Sequence, residues 1–344
     1  MSEEELSVLR AQLGDLLEKG WIRPSSSPYG APVLFVRKKN KDLRLCFNYL
    51  KLSEQTVKNV SPLPHIDDLL ERLGGCKVFS KLNLKLGYHQ HEIRQEDHYE
   101  IAFNTRYGHF KWLVLPFGLT NAPTTFPATM TMEFRHTLER FVLIYLDDIL
   151  VYSRSLDDDV EHLRIVLEQL RQAKYKANHD KCEFARQELE YLRHFVTSQS
   201  IRLLVNKIET IRVRPEPTNT TEVRSFMKLA SYYQRFITGY SRIAAPLARL
   251  QSSKVSFVFS DEAWQSFQAL KTTILMASVL SMYDPTLPTR VTIDALGYGI
   301  GAVLEQHDGD DWHPVEYFSH TVSSSNSLDD ARKELLAFVM ALKR

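Results

Sequence analysis

Apolar residues in the first segment recur at Leu6, Leu9, Leu13, Leu16 and Leu17, the spacing of one helical face. The run closes at Gly20, ahead of Pro24, three serines and Pro28. This pattern predicts a helix docked by one side. Two β-rich runs lie between Ala31 and Phe47 around a polar turn, where Arg37, Lys38, Lys39, Lys41 and Arg44 face a single acid, Asp42, so a basic hairpin is expected. The next stretch starts with prolines, continues with Ile66, Leu69, Leu70 and Leu73, and ends on Gly74 and Gly75, outlining a capped helix. FVLIYLDDILVYS, residues 141–153, is the strongest strand pair in the chain. The helix after it, DVEHLRIVLEQLRQAKY, has Asp157, Asp158 and Asp159 in its first turn behind Ser155, where acids complement the helix dipole.

Pro215-Glu216-Pro217 reads as a boundary, and Asn219 with Glu222 three residues on starts a new helix in capping-box fashion. A second linker, YDPTLPTR at 283–290, precedes a hairpin and a final helix. The chain therefore divides into parts at about 1–200, 205–280 and 285–344. Strands and helices interleave with no Gly-rich phosphate loop, which argues for an α+β fold against a doubly wound nucleotide fold.

Composition narrows the class only a little. With 44% hydrophobic and 25% charged residues the 344-residue chain is ordinary globular material, neither collagenous nor low-complexity. Its longest apolar run, Leu335 to Leu342, is far short of the ~20 residues of a membrane span. Glu3, Glu4 and Glu5 argue against a signal peptide. Cys46, Cys76 and Cys182 have no paired spacing, so an intracellular, reducing setting, cytoplasmic or nuclear, is expected. The net charge of +1 says nothing about a polyanionic partner.

Local charge says more. Asp147 and Asp148 are adjacent carboxylates inside an apolar run, an expensive arrangement unless a cation neutralises them or a turn solvates them. Asp-Asp is not a favoured two-residue turn, and hard carboxylate oxygens suit Mg²⁺, so a solvated turn and a metal pair both stay open. From Val223 to Ser260 there is no acid against six basic residues. Helical spacing puts Arg224, Lys228, Ser231 and Arg235 on one face and Phe226, Leu229, Tyr233, Phe236 and Ile237 on another. That basic stripe is either a phosphate-tracking surface or a solvated face, and the missing acids favour the former. His89, His91, His98 and His109 lack zinc spacing.

SPYGAPVLFVRKK (27–39), VFSKLNLKLGYHQ (78–90), LPFGLTNAPTTF (115–126), Tyr145-Leu146-Asp147-Asp148, KCEF (181–184), YLRHFV (191–196) and RSFMKLASYYQRFI (224–237) occur in an order that resembles the reverse transcriptases of Ty3/gypsy-type LTR retrotransposons. The resemblance covers nearly the whole chain. It implies a right-hand polymerase fold of fingers, palm and thumb, then a ribonuclease H-like fragment. It also implies addition of dNTPs to a primer 3′-OH on an RNA or DNA template, with two Mg²⁺ ions. By that resemblance Asp147 and Asp148 hold metal, Tyr88 excludes a ribose 2′-OH, Lys38 and Arg44 meet the triphosphate, and Phe117 and Gly118 floor the nucleotide pocket. Leu192 and His194 belong, by the same resemblance, to the loop that grips the primer end, and the basic stripe of Arg224, Lys228 and Arg235, read from spacing alone, suits the duplex beyond it.

The departures matter as much. Asn83 stands where the family pattern has its third metal-binding Asp, and an amide cannot bridge two divalent cations, so a rate loss on the order of 10²–10⁴ is expected. Asn48 and Leu50 replace an Asp and an Arg, Pro127 a Gln, and Arg193 a Gly. VTIDALGYGIGAVLEQ resembles the first hairpin of a ribonuclease H, with Asp294 and, further on, Glu334 as the two carboxylates present of the set such domains use. Hybrid cleavage is therefore not expected. Three readings remain: an impaired polymerase, a nucleic-acid-binding relic without turnover, or a decayed copy that does not fold stably because Asn48 and Leu50 cost it buried hydrogen bonds.

Overall fold

Ser2 caps the first helix, Glu3–Glu18, through a full capping box with Glu5. Leu9 and Leu13 on its inner face are buried, as their spacing predicts. The computed structural model describes residues 1–37, 43–59, 64–252, 256–296, 299–321 and 338–339. It contains two compact units: Met1–His65 with Phe79–Arg186, and Ile66–Val78 with Gln187–Arg344. The second is thus assembled from two separate stretches of sequence. Among the described residues no helix is long and apolar enough to cross a membrane.

The first unit holds two sheets. One runs in the order Ile22–Pro24, Gly108–Trp112, Ala102–Thr105, Ala31–Arg37, Leu43–Phe47, and contains the expected basic hairpin, paired Val33 to Phe47 through Arg37 to Leu43. Trp112 is fully buried there, with Phe47 and Phe103 against it. The other sheet runs Val142–Tyr145, Asp148–Ser153, Val78–Asn83, Glu183–Arg186. Ile149 to Ser153 are buried without a break, so that strand is covered on both faces, which is why its sequence is a continuous apolar run and not an alternation. Phe126 and Met130 of helix Ala122–Glu133, Phe134 at its C-cap, and Val166 and Leu170 of helix Leu156–Gln172 belong to the same core.

Ser155 caps that last helix as expected, but Asp159 does more than face the dipole. It is wholly buried and accepts hydrogen bonds from Ser80 Oγ at 2.8 Å and Ser153 Oγ at 3.2 Å, while Ser80 Oγ accepts from the Ala185 N–H at 2.8 Å. One carboxylate therefore joins three neighbouring strands of the sheet. Burial holds its carboxyl above the ordinary range, opposed but not overcome by the two serine bonds.

In the second unit, Glu188–Tyr191, His194–Thr197, Ser200–Leu203 and Leu280–Ser281 make one sheet, and Thr289–Leu296, Gly299–His307 and Trp312–Thr321 another. Helices Val205–Arg212, Thr220–Tyr232, Tyr240–Arg249 and Asp261–Leu275 lie between them in sequence, with Phe226 and Phe267 packed at 4.6 Å. Asn219 caps its helix by accepting from the Glu222 N–H, whereas the Glu222 carboxylate reaches one residue beyond the cap, to the Thr218 N–H.

The basic stripe needs correcting. The helix stops at Tyr232, and Arg235 falls in a 3₁₀ turn, Gln234–Phe236, that carries it off the exposed face. Its side chain is buried and pairs with Asp67 at 2.8 Å, an acid about 170 positions away in sequence. The missing acid is supplied by the short helix Ile66–Glu71. Removing one partner of a buried pair strands the other charge, softened here because Asp67 is part-exposed. Arg235→Met is expected to destabilise the second unit by ~2–3 kcal/mol, read as a lower urea midpoint. An unchanged midpoint would show that the pair contributes nothing.

Candidate active site

Tyr145 and Asp148 pair across the hairpin, so the two-residue turn is Leu146-Asp147, with Asp148 opening the second strand. Leu146 has φ 54°, the left-handed region, at the first turn position, a geometry that normally selects glycine. The turn sets the two acids at different places, one at the tip and one in the sheet. Asp148 is half-buried, and its Oδ1 accepts a hydrogen bond from Asn83 Nδ2 at 2.8 Å. Asn83 ends the neighbouring strand, and its own carbonyl is held by the Asn178 N–H at 2.8 Å. Burial pushes the Asp148 carboxyl above the ordinary range. The Asn83 bond opposes this, the Asp147 charge reinforces it, and Lys81 and Lys181 oppose it again.

The residues read as nucleotide-binding assemble beside this turn. Leu86, at φ 53°, leads into the 3₁₀ turn Gly87–Gln90. A side chain on Gly87 would bring a Cβ to 2.9 Å from the Phe126 ring, so only glycine lets the turn settle there. Tyr88 is then buried with Phe117 at 4.9 Å and Phe126 at 5.1 Å between ring centroids. Its hydroxyl is pushed up by burial and then by the charge of Asp147, which links it electrostatically to the acidic turn. Phe117 is partly exposed, the Arg44 guanidinium lies 5.2 Å from its ring centre, and Gly118 follows at φ 101°. Arg44, Phe117 and Gly118 share a cleft of about 420 Å³ with Lys19, Trp21 and His89. Lys38 lies outside the described residues.

His89 escapes a sequence reading that looks only for metal spacing. Its ring lies against Trp21, Trp112 and Phe117, and burial lowers it to about 4, so it is a neutral aromatic wall of the cleft. Asn48 accepts from the Leu50 N–H at 3.1 Å, so the replaced acid's position still carries a local cap, while Leu50 itself is exposed.

In the second unit the turn Leu192-Arg193 joins strands paired at Tyr191 and His194. His194 is buried, with its ring stacked on Tyr232 at 5.4 Å and Phe236 at 5.6 Å. Enclosed on both faces, its side chain supports the turn from below. Leu192 is half-buried and its carbonyl accepts from the Tyr232 hydroxyl. Arg224 and Lys228 are exposed, and Arg224 donates to the Gln251 carbonyl. Asp294 lies on the strand Thr289–Leu296 opposite Gly301, while Glu334 is outside the described residues.

Burial, and then the Arg235 charge, depress His194 from 6.5 to about 4. The unfolded chain binds this proton first on acidification, so stability present above pH 6.5 is lost as pH falls towards 4, on the order of 3 kcal/mol. His194→Phe should flatten the loss of urea stability over that interval. An equal loss in both proteins would mean that His194 is not a buried neutral base.

Residues 36–195 match the family described as reverse transcriptase (RNA-dependent DNA polymerase), and residues 259–344 match the RNase H-like domain found in reverse transcriptase. Over 96% of its length the chain is 35% identical to the Retrovirus-related Pol polyprotein from transposon 297 of Drosophila melanogaster. It is 31% identical, over 98%, to the Transposon Tf2-3 polyprotein of Schizosaccharomyces pombe. It spans only 32% and 26% of those relatives' lengths. In fold it is similar to a foamy viral protease-reverse transcriptase solved with double-stranded DNA, at TM-score 0.84 and 20% identity, covering 99% of this chain and 72% of that one. The same viral protein solved with an RNA/DNA hybrid gives TM-score 0.81 at 20% identity, covering 99% and 46%.

Proposed function

Because the chain belongs to the reverse transcriptase family of retrotransposon polyproteins, we propose that it binds a primer–template duplex and that its centre for adding dNTPs to a primer 3′-OH is impaired by Asn83. The observation that carries this reading is the 2.8 Å bond from the Asn83 amide to Asp148. A third carboxylate at that position would need a cation between it and Asp148. The amide instead donates to Asp148 directly, a neutral donor where an anionic ligand would be needed.

Enzymes of this family generally depend on Mg²⁺. The residues present do not fit a pair of bridging ions: Asp147 and Asp148 supply the only carboxylates at the turn, and among the described residues no group of three His, Cys, Asp or Glu side chains could hold a metal. What the chain's own residues would still do is bind. Arg44, with Lys38, suits a triphosphate, Phe117 offers a stacking face, Gly118 lets its backbone approach, and Tyr88 walls the sugar. In the second unit Arg224 and Lys228 offer exposed cations to a duplex backbone of RNA or DNA. Double-stranded DNA and RNA/DNA hybrid are the ligands carried by the viral structures of similar fold, which supports that choice of partner.

Primer extension on an RNA template with Mg²⁺ tests the reading. The native chain should extend slowly or not at all, Asn83→Asp should raise the rate at least ~100-fold, and Asp147→Asn on that background should abolish it. Equal rates for the native chain and Asn83→Asp would overturn the impairment. Duplex binding without extension even by Asn83→Asp would favour the relic.

A further inference from the structure

The buried Asp159 leads outward to a histidine. Ser153 Oγ, 3.2 Å from Asp159 Oδ1, is also 2.9 Å from His162 Nδ1. Ser153 and Asp159 are buried, whereas His162, on the same helix as the acid, is half-buried. Its ring lies parallel to that of Phe141, with 3.9 Å between centroids and 2° between planes. Phe141 directly precedes the strand Val142–Tyr145, and Asp159 already gathers Ser80, Ser153 and, through Ser80, the Ala185 N–H. Two side chains of one helix therefore reach every strand, or the end of it, in the four-stranded sheet that carries Asn83 and Asp148.

Counting hydrogens decides how these groups are joined. A serine has a single hydroxyl hydrogen, and Ser153 has both the carboxylate and the imidazole within reach. Given to His162 Nδ1, that hydrogen leaves Asp159 Oδ1 buried without the donor a carboxylate there needs. Ser80 cannot replace it, because its own hydrogen goes to Asp159 Oδ2 and its oxygen accepts from Ala185. Given to Asp159, it requires the hydrogen between Ser153 and His162 to come from the ring. We infer that His162 carries its ring proton on Nδ1 and donates it to Ser153, which frees the serine to donate to Asp159 and makes His162 a positioning residue for the strands that end in Asn83 and begin with Asp148. The tautomer is set by the partner, as it is where one imidazole nitrogen is tied to a fixed group, and the stack on Phe141 holds the ring plane. The consequence for dNTP addition rests on the polymerase reading above, whereas the hydrogen-bond chain does not.

Long-range ¹H–¹⁵N correlation spectra of the ¹⁵N-labelled full chain at about pH 8.5, where an ordinary imidazole is neutral, test the tautomer. With the His162 signals identified by their loss in His162→Asn, Nδ1 should carry the proton and Nε2 should be bare. A proton on Nε2 overturns the chain. Urea unfolding then separates the bond from the packing. His162→Phe keeps a ring against Phe141 but has no donor, so its midpoint should fall, and His162→Asn, whose amide nitrogen stands near the place of Nδ1, should recover most of that fall. The difference between the two should vanish on a Ser153→Ala background, and an equal difference on both backgrounds overturns the bond to Ser153. Positioning is read in two ways. Amide exchange along Asp148–Ser153 should quicken in His162→Phe and not in His162→Asn. On the Asn83→Asp background, His162→Phe should lower primer extension at saturating dNTP about 5–10-fold, and His162→Asn should restore it. Native exchange in His162→Phe overturns the positioning role. Faster exchange with undiminished extension confines that role to the fold and overturns its consequence for dNTP addition. If Asn83→Asp itself does not extend, the polymerase reading fails, and the spectra and exchange rates still decide the role of His162.

Discussion

Asp147 and Asp148 sit at the end of a hairpin whose second strand is buried on both faces, and two like charges in that position have to be compensated by something within reach. Here the compensation comes from protein. The Asn83 amide is bonded to Asp148, and the Lys81 and Lys181 charges act on it from further off. Lys81 is itself anchored to Glu183 at 2.8 Å on the edge strand of the same sheet. Beside the pair, Tyr88 feels the Asp147 charge, packs on Phe117, and through Phe117 meets Arg44 and the cleft.

A sheet that carries such a pair at one end is fastened at the other. Asp159 collects Ser80 and Ser153, and Ser80 collects the Ala185 N–H, so the strand ending in Asn83, the strand beginning with Asp148 and their edge neighbour are tied through one buried carboxylate. Hydrogen bonds to a charged acceptor are among the stronger ones, and a network whose members are all satisfied fixes register as well as adding stability. The hydrogen bond between Asn83 and Asp148 depends on that register.

The second unit uses aromatic stacking in a similar way. His194, Tyr232 and Phe236 form a layer beneath the Leu192-Arg193 turn, and Arg235, buried next to it, is neutralised by Asp67. Burial holds His194 neutral, as its place in an aromatic stack requires. The turn it supports is strained, and the residue exposed there is a cation.

Much of this was legible along the chain because it depends on neighbours in sequence. The Leu9 and Leu13 face, the caps at Ser155 and Asn219, the basic hairpin and the Asp hairpin all follow from residues within one or two turns of each other. The order of motifs likewise pointed to the family. What could not be read was the identity of distant partners. Asp159 looked like any first-turn acid because Ser80 lies 79 positions earlier, and Arg235 looked exposed because its acid lies 168 positions away and its helix ends one turn too soon. The burial of His194 was hidden for the same reason: a hairpin sends alternate residues to opposite faces, and only the layer packed beneath, Tyr232 and Phe236, decides which face is closed. Periodicity and capping are local energies that a sequence displays directly. Burial and charge pairing are paid between residues brought together by chain closure, so only the tertiary structure decides them.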